Sequence, residues 1–323
     1  MSISVFKKGQ QEQLDVQEVF NIWNLLRARY YSMELVKFFT NFVHDREFSL
    51  VLSTLLKHYT KQASILEKEG KKFKIKVPER PPYDLNISVR IEAITDKFIF
   101  RSVYNGLIAQ LFSLMTAYRT STTNDGIRQI IAEDLKEHLN DFELLYKYGK
   151  LKGWQSDPPA YKTAKPVTNE PLSVSEAFHI WDNLSHRYDQ FHLTQLFLEF
   201  AHDKEFRAIL TQGLNSLTKE ISVLEEISVK YEIAMPDRPA ASASAALDPE
   251  SMQDFFMYAV ILKGIQDAID LHVRAVIESI RNDSVRNLLM DYFQKEMQIH
   301  ERLLKYGKMK GWTKIPPIHN EPS

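Results

Sequence analysis

The chain repeats itself at a fixed spacing of 158 residues. Trp23 aligns with Trp181 and Trp154 aligns with Trp312 at that one offset (181−23 and 312−154). Because no net insertion separates these markers, both copies must fold into the same supersecondary unit. The repeat predicts two similar domains and distinguishes retained residues from those that diverged.

Size and proline content agree with two domains. The 323 residues, 44% of them hydrophobic, suffice for two cores in domains of about 150 residues each. Pro158-Pro159 recurs as Pro316-Pro317, so the proline-rich segment at 155–171 is the tail of the first copy. We therefore expect domains at 1–160 and 161–323.

The charge balance gives no sign of a polyanionic partner. A net charge of −1 provides no basic field for nucleic acid or an anionic membrane surface. No stretch approaches the roughly 18 to 20 apolar residues of a membrane span, and residues 1–10 lack the apolar core of a secretory signal. The absence of cysteine excludes disulfides and thiolate sites. We expect a cytoplasmic protein without nucleic-acid or membrane partners.

Apolar residues recur every three or four positions, as Phe206, Leu210, Leu217, Ile221 and Leu224 do. This spacing predicts long amphipathic helices and an all-α fold. In the first copy we expect helices at 15–43, 46–71, 92–121 and 125–148, and in the second copy helices 158 residues later.

Retained residues predict where helices begin and bend. His-Asp-x-Glu-Phe, at His44 and His202, predicts a corner that starts the second helix with acidic residues. Each first helix is expected to kink near Tyr30 or Tyr188, where its apolar stripe changes phase.

Retained glycines predict two further features. Gly149 and Gly307 are expected to close the fourth helices in the left-handed conformation. Gly106 and Gly264, in the middle of the third helices, predict a close approach of two helices.

A proline-containing connection follows the second helix of each copy. Pro-x-Arg-Pro, at 78–81 and 236–239, forces an extended strap. Four helices with one long connection predict a ferritin-like up-down four-helix bundle in each copy. Duplicated copies often occupy the places of two subunits, so we expect an intramolecular pseudo-dimer.

Several repeated motifs carry a family resemblance. Glu18 to Trp23 and their equivalents are followed in both copies by Arg-Tyr, His-Asp-x-Glu-Phe, Pro-x-Arg-Pro and Tyr-Gly-Lys-x-Lys-Gly-Trp. The chain resembles a family of duplicated proteins from spore-forming bacilli that is similar to spore coat protein F. The resemblance implies a ferritin-like fold in each half and a spore-forming host, but no catalytic residue.

A metal pair is the sharpest chemical hypothesis for a ferritin-like bundle. The second copy offers candidate iron or manganese ligands at Glu199, His202, His272, Glu296 and His300. The first copy lacks most of them. Glu296 lies near the middle of its helix, whereas His202 lies at the end of another helix and His272 lies about eight residues past the middle of a third. We therefore expect these residues not to converge on one ion.

Other polar residues have a structural interpretation. Glu296 and its equivalent His138 interrupt apolar stripes and must be hydrogen-bonded if buried. His44 and His202 are each expected to form a hydrogen bond to the end of the adjoining helix. We expect Asp125 at the same end of the bundle as His44, and Asp96 at the opposite end. Six lysines suggest an anion patch beside Trp154 and Trp312, at positions 147, 150, 152, 305, 308 and 310. We favour a structural interpretation, in which the lysines complement the negative helix ends and the tryptophans pack on the lysine stems.

The sequence contains no nucleophile set, phosphate loop or closed metal constellation. We therefore expect a non-enzymatic structural or interaction protein of spore-forming bacteria, associated with the spore or its coat, with a protein partner and no cofactor. Two alternatives stay open. One is a metal-dependent oxidase or metal store in the second copy. The other is a small-molecule site inside a bundle, where Glu296 or His138 would orient the ligand.

Overall fold

The computed structural model describes residues 13–80, 94–155, 158–161, 170–238 and 252–317. Within these ranges the chain forms eight α-helices and no strand, and they belong to two compact units of four helices each. The helices are α1 Val16–Thr40, α2 Arg46–Lys72, α3 Asp96–Thr120, α4 Asp125–Lys152, α5 Val174–Phe200, α6 Lys204–Lys230, α7 Asp254–Glu278 and α8 Asp283–Met309. The predicted tandem all-α fold is confirmed, whereas the boundary at 160 and the pseudo-dimer stay predictions.

The helix directions follow from contacts at the two ends of the first bundle. The His44 amide donates to Asp96 Oδ1 over 2.8 Å, which places the α1–α2 corner beside the start of α3. The Thr123 amide donates to Glu18 Oε1 over 2.9 Å, which places the α3–α4 corner beside the start of α1. Hence α2 and α3 run in the same direction, so the end of α2 and the start of α3 lie at opposite ends of the bundle. This is the order of a ferritin-like bundle with a long crossing.

These directions correct the expected placement of several charges. Asp96 lies at the His44 end and accepts both corner amides, from His44 and Asp45, each over 2.8 Å. Asp125 lies at the end where Glu18 lies, because α4 begins there. Both aspartates were predicted at the wrong end of the bundle because successive helices were assumed to alternate in direction.

A buried glutamate joins two helix starts in each bundle. Glu18 is fully buried and forms a reciprocal capping box with Asp15 at the start of α1. Its Oε1 also accepts the amides of Thr123 and Asn124, which lead into α4. Glu176 repeats the arrangement with the start of α8. One carboxylate thus satisfies amides that a helix start leaves unpaired.

The change expected near Tyr30 and Tyr188 is not a break, since α1 and α5 are each one continuous helix. The phase change in the apolar stripe has another cause. In the first unit α1 packs against both α2 and α3, and in the second α5 packs against α6 and α7. A helix with two neighbours buries a wide face, so its apolar residues do not follow one narrow stripe.

The predicted glycine roles are also corrected. The helix continues past Gly149, and the left-handed residue is Gly153 with φ 66°. A β-carbon on Gly149 would collide with the Phe100 ring. Apart from the adjoining part of its own helix, no heavy atom of the described residues lies within 4 Å of the place of a β-carbon on Gly106, so the expected close helix approach is absent there, as it is at Gly264.

One helix of the described ranges, α3, is long and apolar enough to cross a membrane by length and composition alone. Of its most apolar window, 44% is buried inside the structure. The core helix of a bundle meets the same criteria, so α3 is not a clear membrane span.

Candidate functional site

A buried arginine lies at the centre of each bundle. Arg29 on α1 and Arg187 on α5 are separated by the repeat offset, and each is only 1% exposed. An isolated charge in a protein core is strongly destabilising, so each guanidinium requires counter-ions and hydrogen-bond acceptors around it. The bundle interior supplies both.

In the second bundle Arg187 connects the other three helices. Its Nη2 lies 2.8 Å from Glu296 Oε1 on α8 and 2.7 Å from His272 Nε2 on α7. Its Nε lies 2.7 Å from Glu220 Oε2 on α6, although this N–H does not point along the contact. All four side chains are buried. Charge-assisted hydrogen bonds of this kind are about twice as strong as neutral ones.

In the first bundle Arg29 makes the corresponding connections with different residues. Its Nη2 donates to Asp134 Oδ1 on α4 over 2.8 Å, and its Nη1 donates to Gln110 on α3. The guanidinium carbon also lies 5.4 Å from the centre of the Tyr59 ring on α2, within the range of a cation–π contact. One arginine again reaches all three neighbouring helices.

The acidic partner on the fourth helix differs in position between the two copies. Asp134 corresponds to Tyr292 under the repeat, whereas Glu296 corresponds to His138. The carboxylate has therefore moved by four residues, or one helical turn, while the arginine has stayed in place. His138 is buried and donates from Nε2 to the Leu107 carbonyl over 3.1 Å, as a buried polar group requires.

Burial sets the protonation of the two core histidines. Burial and the neighbouring Arg187 hold the pKa of His272 well below its usual value. Burial and Arg29 lower the pKa of His138 to about 3. Both imidazoles are thus neutral near pH 7, and His272 Nε2 can accept a hydrogen bond from Arg187.

Burial acts in the opposite direction on the carboxyl groups. It raises the pKa of Glu296 and of Asp134, against the lowering effect of the adjacent guanidinium. Glu296 Oε2 has no hydrogen-bond partner in the part of the chain that the structure describes. The second bundle therefore holds two carboxyl groups, from Glu220 and Glu296, around one guanidinium.

The structure separates the five metal candidates of the second copy. Glu199 and His202 are exposed near the end of α5 and just beyond it, and His300 is half-buried with its Nε2 3.4 Å from Gln266 Nε2. His272 and Glu296 both contact the guanidinium of Arg187, so a permanent cation lies between these two candidates. Within the described ranges no group of three or more His, Cys, Asp or Glu side chains is arranged to hold a metal ion.

The corner histidines bond chiefly through the main chain. The His44 and His202 amides donate to Asp96 and Asp254, over 2.8 and 2.9 Å. The imidazole Nδ1 atoms lie 4.0 and 3.9 Å from the same carboxylates and are largely exposed. The corner is therefore held by backbone donors.

In place of the suggested anion patch, ion pairs form at four of the six lysines, those at 147, 152, 305 and 310. Lys152 Nζ lies 2.8 Å from Asp45 Oδ2 and 3.0 Å from Glu47 Oε2. Lys310 pairs in the same way with Asp203 and Glu205. The tryptophans pack on aromatic rings: the ring centres of Trp154 and Phe48 lie 5.2 Å apart, and those of Trp312 and Tyr306 lie 5.5 Å apart.

The sequence analysis did not single out Arg29 or Arg187 as site residues. An arginine in an amphipathic helix is usually a surface residue, because it is almost never fully buried unless paired. The available signal was the Arg-Tyr pair, which both copies retain at the repeat offset.

A cavity of about 150 Å³ adjoins the arginine cluster of the second bundle. Its walls come from all four helices and include Leu210, Val260 and Leu303 as well as the two carboxyl groups of Glu220 and Glu296. It combines an apolar lining with a small number of charged groups, as small-molecule sites do.

Comparisons with known proteins bear on the family. No curated protein sequence matches the chain significantly. A crystal structure from Bacillus halodurans C-125, which carries a provisional name as a spore coat protein, is similar with a TM-score of 0.44 and 22% sequence identity. The similarity covers 48% of this chain and 99% of that one. The sequence profile of the family described as "Protein of unknown function (DUF3231)" matches residues 4–167 and again residues 161–323. The chain therefore belongs to the DUF3231 family and carries its domain twice.

Proposed function

We propose that this protein is a non-catalytic structural or interaction protein whose two bundles are each held together by a buried arginine. The observation that carries the proposal is the set of contacts of Arg187. Its guanidinium lies 2.7 to 2.8 Å from His272, Glu220 and Glu296. In metal-dependent ferritin-like bundles such inward carboxylates and histidines hold the metal ions.

The residues present do not fit a metal ion at this place. An arginine side chain stays protonated in proteins, so Arg187 is a permanent cation among the donors. A metal bound to Glu296 and His272 would have to displace the guanidinium from its partners. A buried guanidinium without counter-ions would destabilise the fold by several kcal/mol. The permanent cation therefore favours a structural or interaction protein over a metal-dependent oxidase or metal store.

Elemental analysis tests the non-catalytic proposal. The full chain is produced without a metal-affinity tag in cells supplemented with iron and manganese. We expect well below one equivalent of either metal per chain. A metal content of one equivalent or more per chain, reduced by the His272→Ala substitution, would refute the proposal and support the metal-dependent oxidase or metal store.

We further propose that the protein acts with a protein partner and is associated with the spore or its coat. The support is the resemblance of the repeated motifs to spore coat protein F, from His-Asp-x-Glu-Phe to Tyr-Gly-Lys-x-Lys-Gly-Trp. Quantitative mass spectrometry of purified spores and mother-cell cytoplasm in a sporulating host tests this location. Enrichment in the spore coat fraction is expected, and recovery in the cytoplasm alone would contradict it.

A further inference from the structure

The cavity of the second bundle reaches from the surface to the buried cluster. Arg302 and Gln212 line its outer end and are exposed, whereas Leu210 and Leu303 line it and are at most 2% exposed. Glu296 also lines it, with a side chain 7% exposed. A ligand therefore has an entry path and an apolar interior.

The cavity arises from substitutions between the copies. Leu55 and Tyr59 of the first bundle, at most 2% exposed, fill its core. Their equivalents in the second bundle are Gly213 and Leu217, and both line the cavity. At Gly213, apart from the adjoining part of its own helix, no heavy atom of the described ranges lies within 4 Å of the place of a β-carbon. The second copy has thus lost side-chain volume at this point on an otherwise repeated scaffold.

The charged groups around the cavity favour a cation. Glu220 and Glu296 share the single buried guanidinium of Arg187. Among the described residues Glu296 Oε2 has no hydrogen-bond partner, which is unusual for a side chain more than nine-tenths buried. The adjacent His272 is neutral, and the arginine that lines the cavity, Arg302, is exposed at the outer end.

We propose that the second bundle binds a small primary amine with an apolar body, whose ammonium group donates a hydrogen bond to Glu296 Oε2. The volume sets the size of the body. An apolar cavity of about 150 Å³ accommodates a molecule the size of benzene. A chain or ring of about six carbons therefore fits, and its ammonium group compensates the second carboxylate.

Isothermal titration calorimetry with three probes of equal length tests the proposal at pH 7.5. The probes are n-hexylamine, n-hexanol and sodium hexanoate. For the full chain we expect one hexylamine site, with a Kd at least tenfold lower than that of hexanol and no measurable binding of hexanoate. Hexylamine at 100-fold its Kd should raise the Tm of the second bundle by about 5 °C or more.

Two variants locate the site and one serves as control. Gly213→Leu restores the leucine of the first copy, fills the cavity and should weaken hexylamine binding at least tenfold. Glu296→Gln should reduce the preference for the amine over the alcohol to less than threefold. Gly106→Leu places the same side chain in the first bundle, where a β-carbon also meets open space, and should leave the Kd unchanged.

The remaining outcomes overturn the proposal. The proposal is wrong if hexylamine gives no saturable heat with natively folded protein. It is also wrong if Gly213→Leu leaves the Kd of hexylamine unchanged, or if hexanol or hexanoate binds as tightly as the amine. If Glu296→Gln fails to fold, the Gly213→Leu variant and the three-probe comparison still decide. Calorimetry measures amine binding, whereas elemental analysis measures bound metal. A failure of the amine-binding proposal is therefore distinguishable from a failure of the proposed non-catalytic function.

Discussion

Arg187 contacts Glu296 over 2.8 Å in the core of the second bundle. The equivalent arginine of the first bundle, Arg29, contacts Asp134 over the same distance, one helical turn away on the fourth helix. The repeat has kept the buried cation and exchanged its counter-ion. Such an exchange requires only that a carboxylate reach the guanidinium, so the arginine is the fixed element of both cores.

Removing either arginine should strongly destabilise its own bundle. Arg187→Met leaves Glu220 and Glu296 buried without their cation, and breaking a buried pair in this way costs about 3 to 5 kcal/mol. Arg29→Met should act similarly on the first bundle. Hydrogen-exchange mass spectrometry of peptides from α4 and α8 measures the two bundles separately.

A surface ion pair provides the control for these variants. Lys305 Nζ lies 3.1 Å from Glu301 Oε1, and both side chains are more than half exposed. Lys305→Met should change the stability by less than about 1 kcal/mol. If Arg187→Met had an equally small effect, the buried cluster would not hold the bundle.

Two glycines of the first bundle should respond oppositely to alanine. Gly149→Ala forces a methyl group into the Phe100 ring and should destabilise the bundle by about 1 to 3 kcal/mol. Gly106→Ala meets open space in a helix interior and should stabilise it by up to about 1 kcal/mol. Urea denaturation followed by tryptophan fluorescence measures both. Equal effects of the two substitutions would contradict the contact at Gly149.

Local sequence signals predicted the helices well and the core poorly. The recurrence of apolar residues every three or four positions predicted the helices of one copy, because it depends on one chain segment at a time. The offset of 158 residues then placed the helices of the other copy. The direction of α3 relative to α2 depends on the end of the bundle at which α3 starts, which periodicity does not encode. The partners of Arg29 and Arg187 lie on other helices at positions that differ between the copies, so no repeated motif marks them.

Acid should weaken the α5–α6 corner. The hydrogen bond from Lys310 holds the pKa of Asp203 near 2, below its ordinary value of about 3.8. A carboxyl group with a lowered folded-state pKa stabilises the fold above about pH 4 and loses that contribution as the pH falls toward 2. Asp203→Asn should therefore cost up to about 1 kcal/mol at pH 7 and little near pH 2.5.

Hydrogen exchange at the start of α6, measured from pH 5 to pH 2.5, tests this dependence. The wild type and Asp203→Asn should converge as the acid protonates the aspartate. Asparagine retains the capping role at a helix start, so the comparison isolates the charge. A difference that stays constant over this range would show that the pair with Lys310 does not contribute.

The coupling between Arg187 and Glu296 tests the central claim most directly. It is measured by a double-mutant cycle of Arg187→Met, Glu296→Met and the double variant, with stability determined by hydrogen exchange in α8. We predict that the double variant is more stable than the sum of the single effects implies, by about 1 to 3 kcal/mol. Additivity within about 0.5 kcal/mol would contradict the claim that the buried arginine and its counter-ion hold the bundle together.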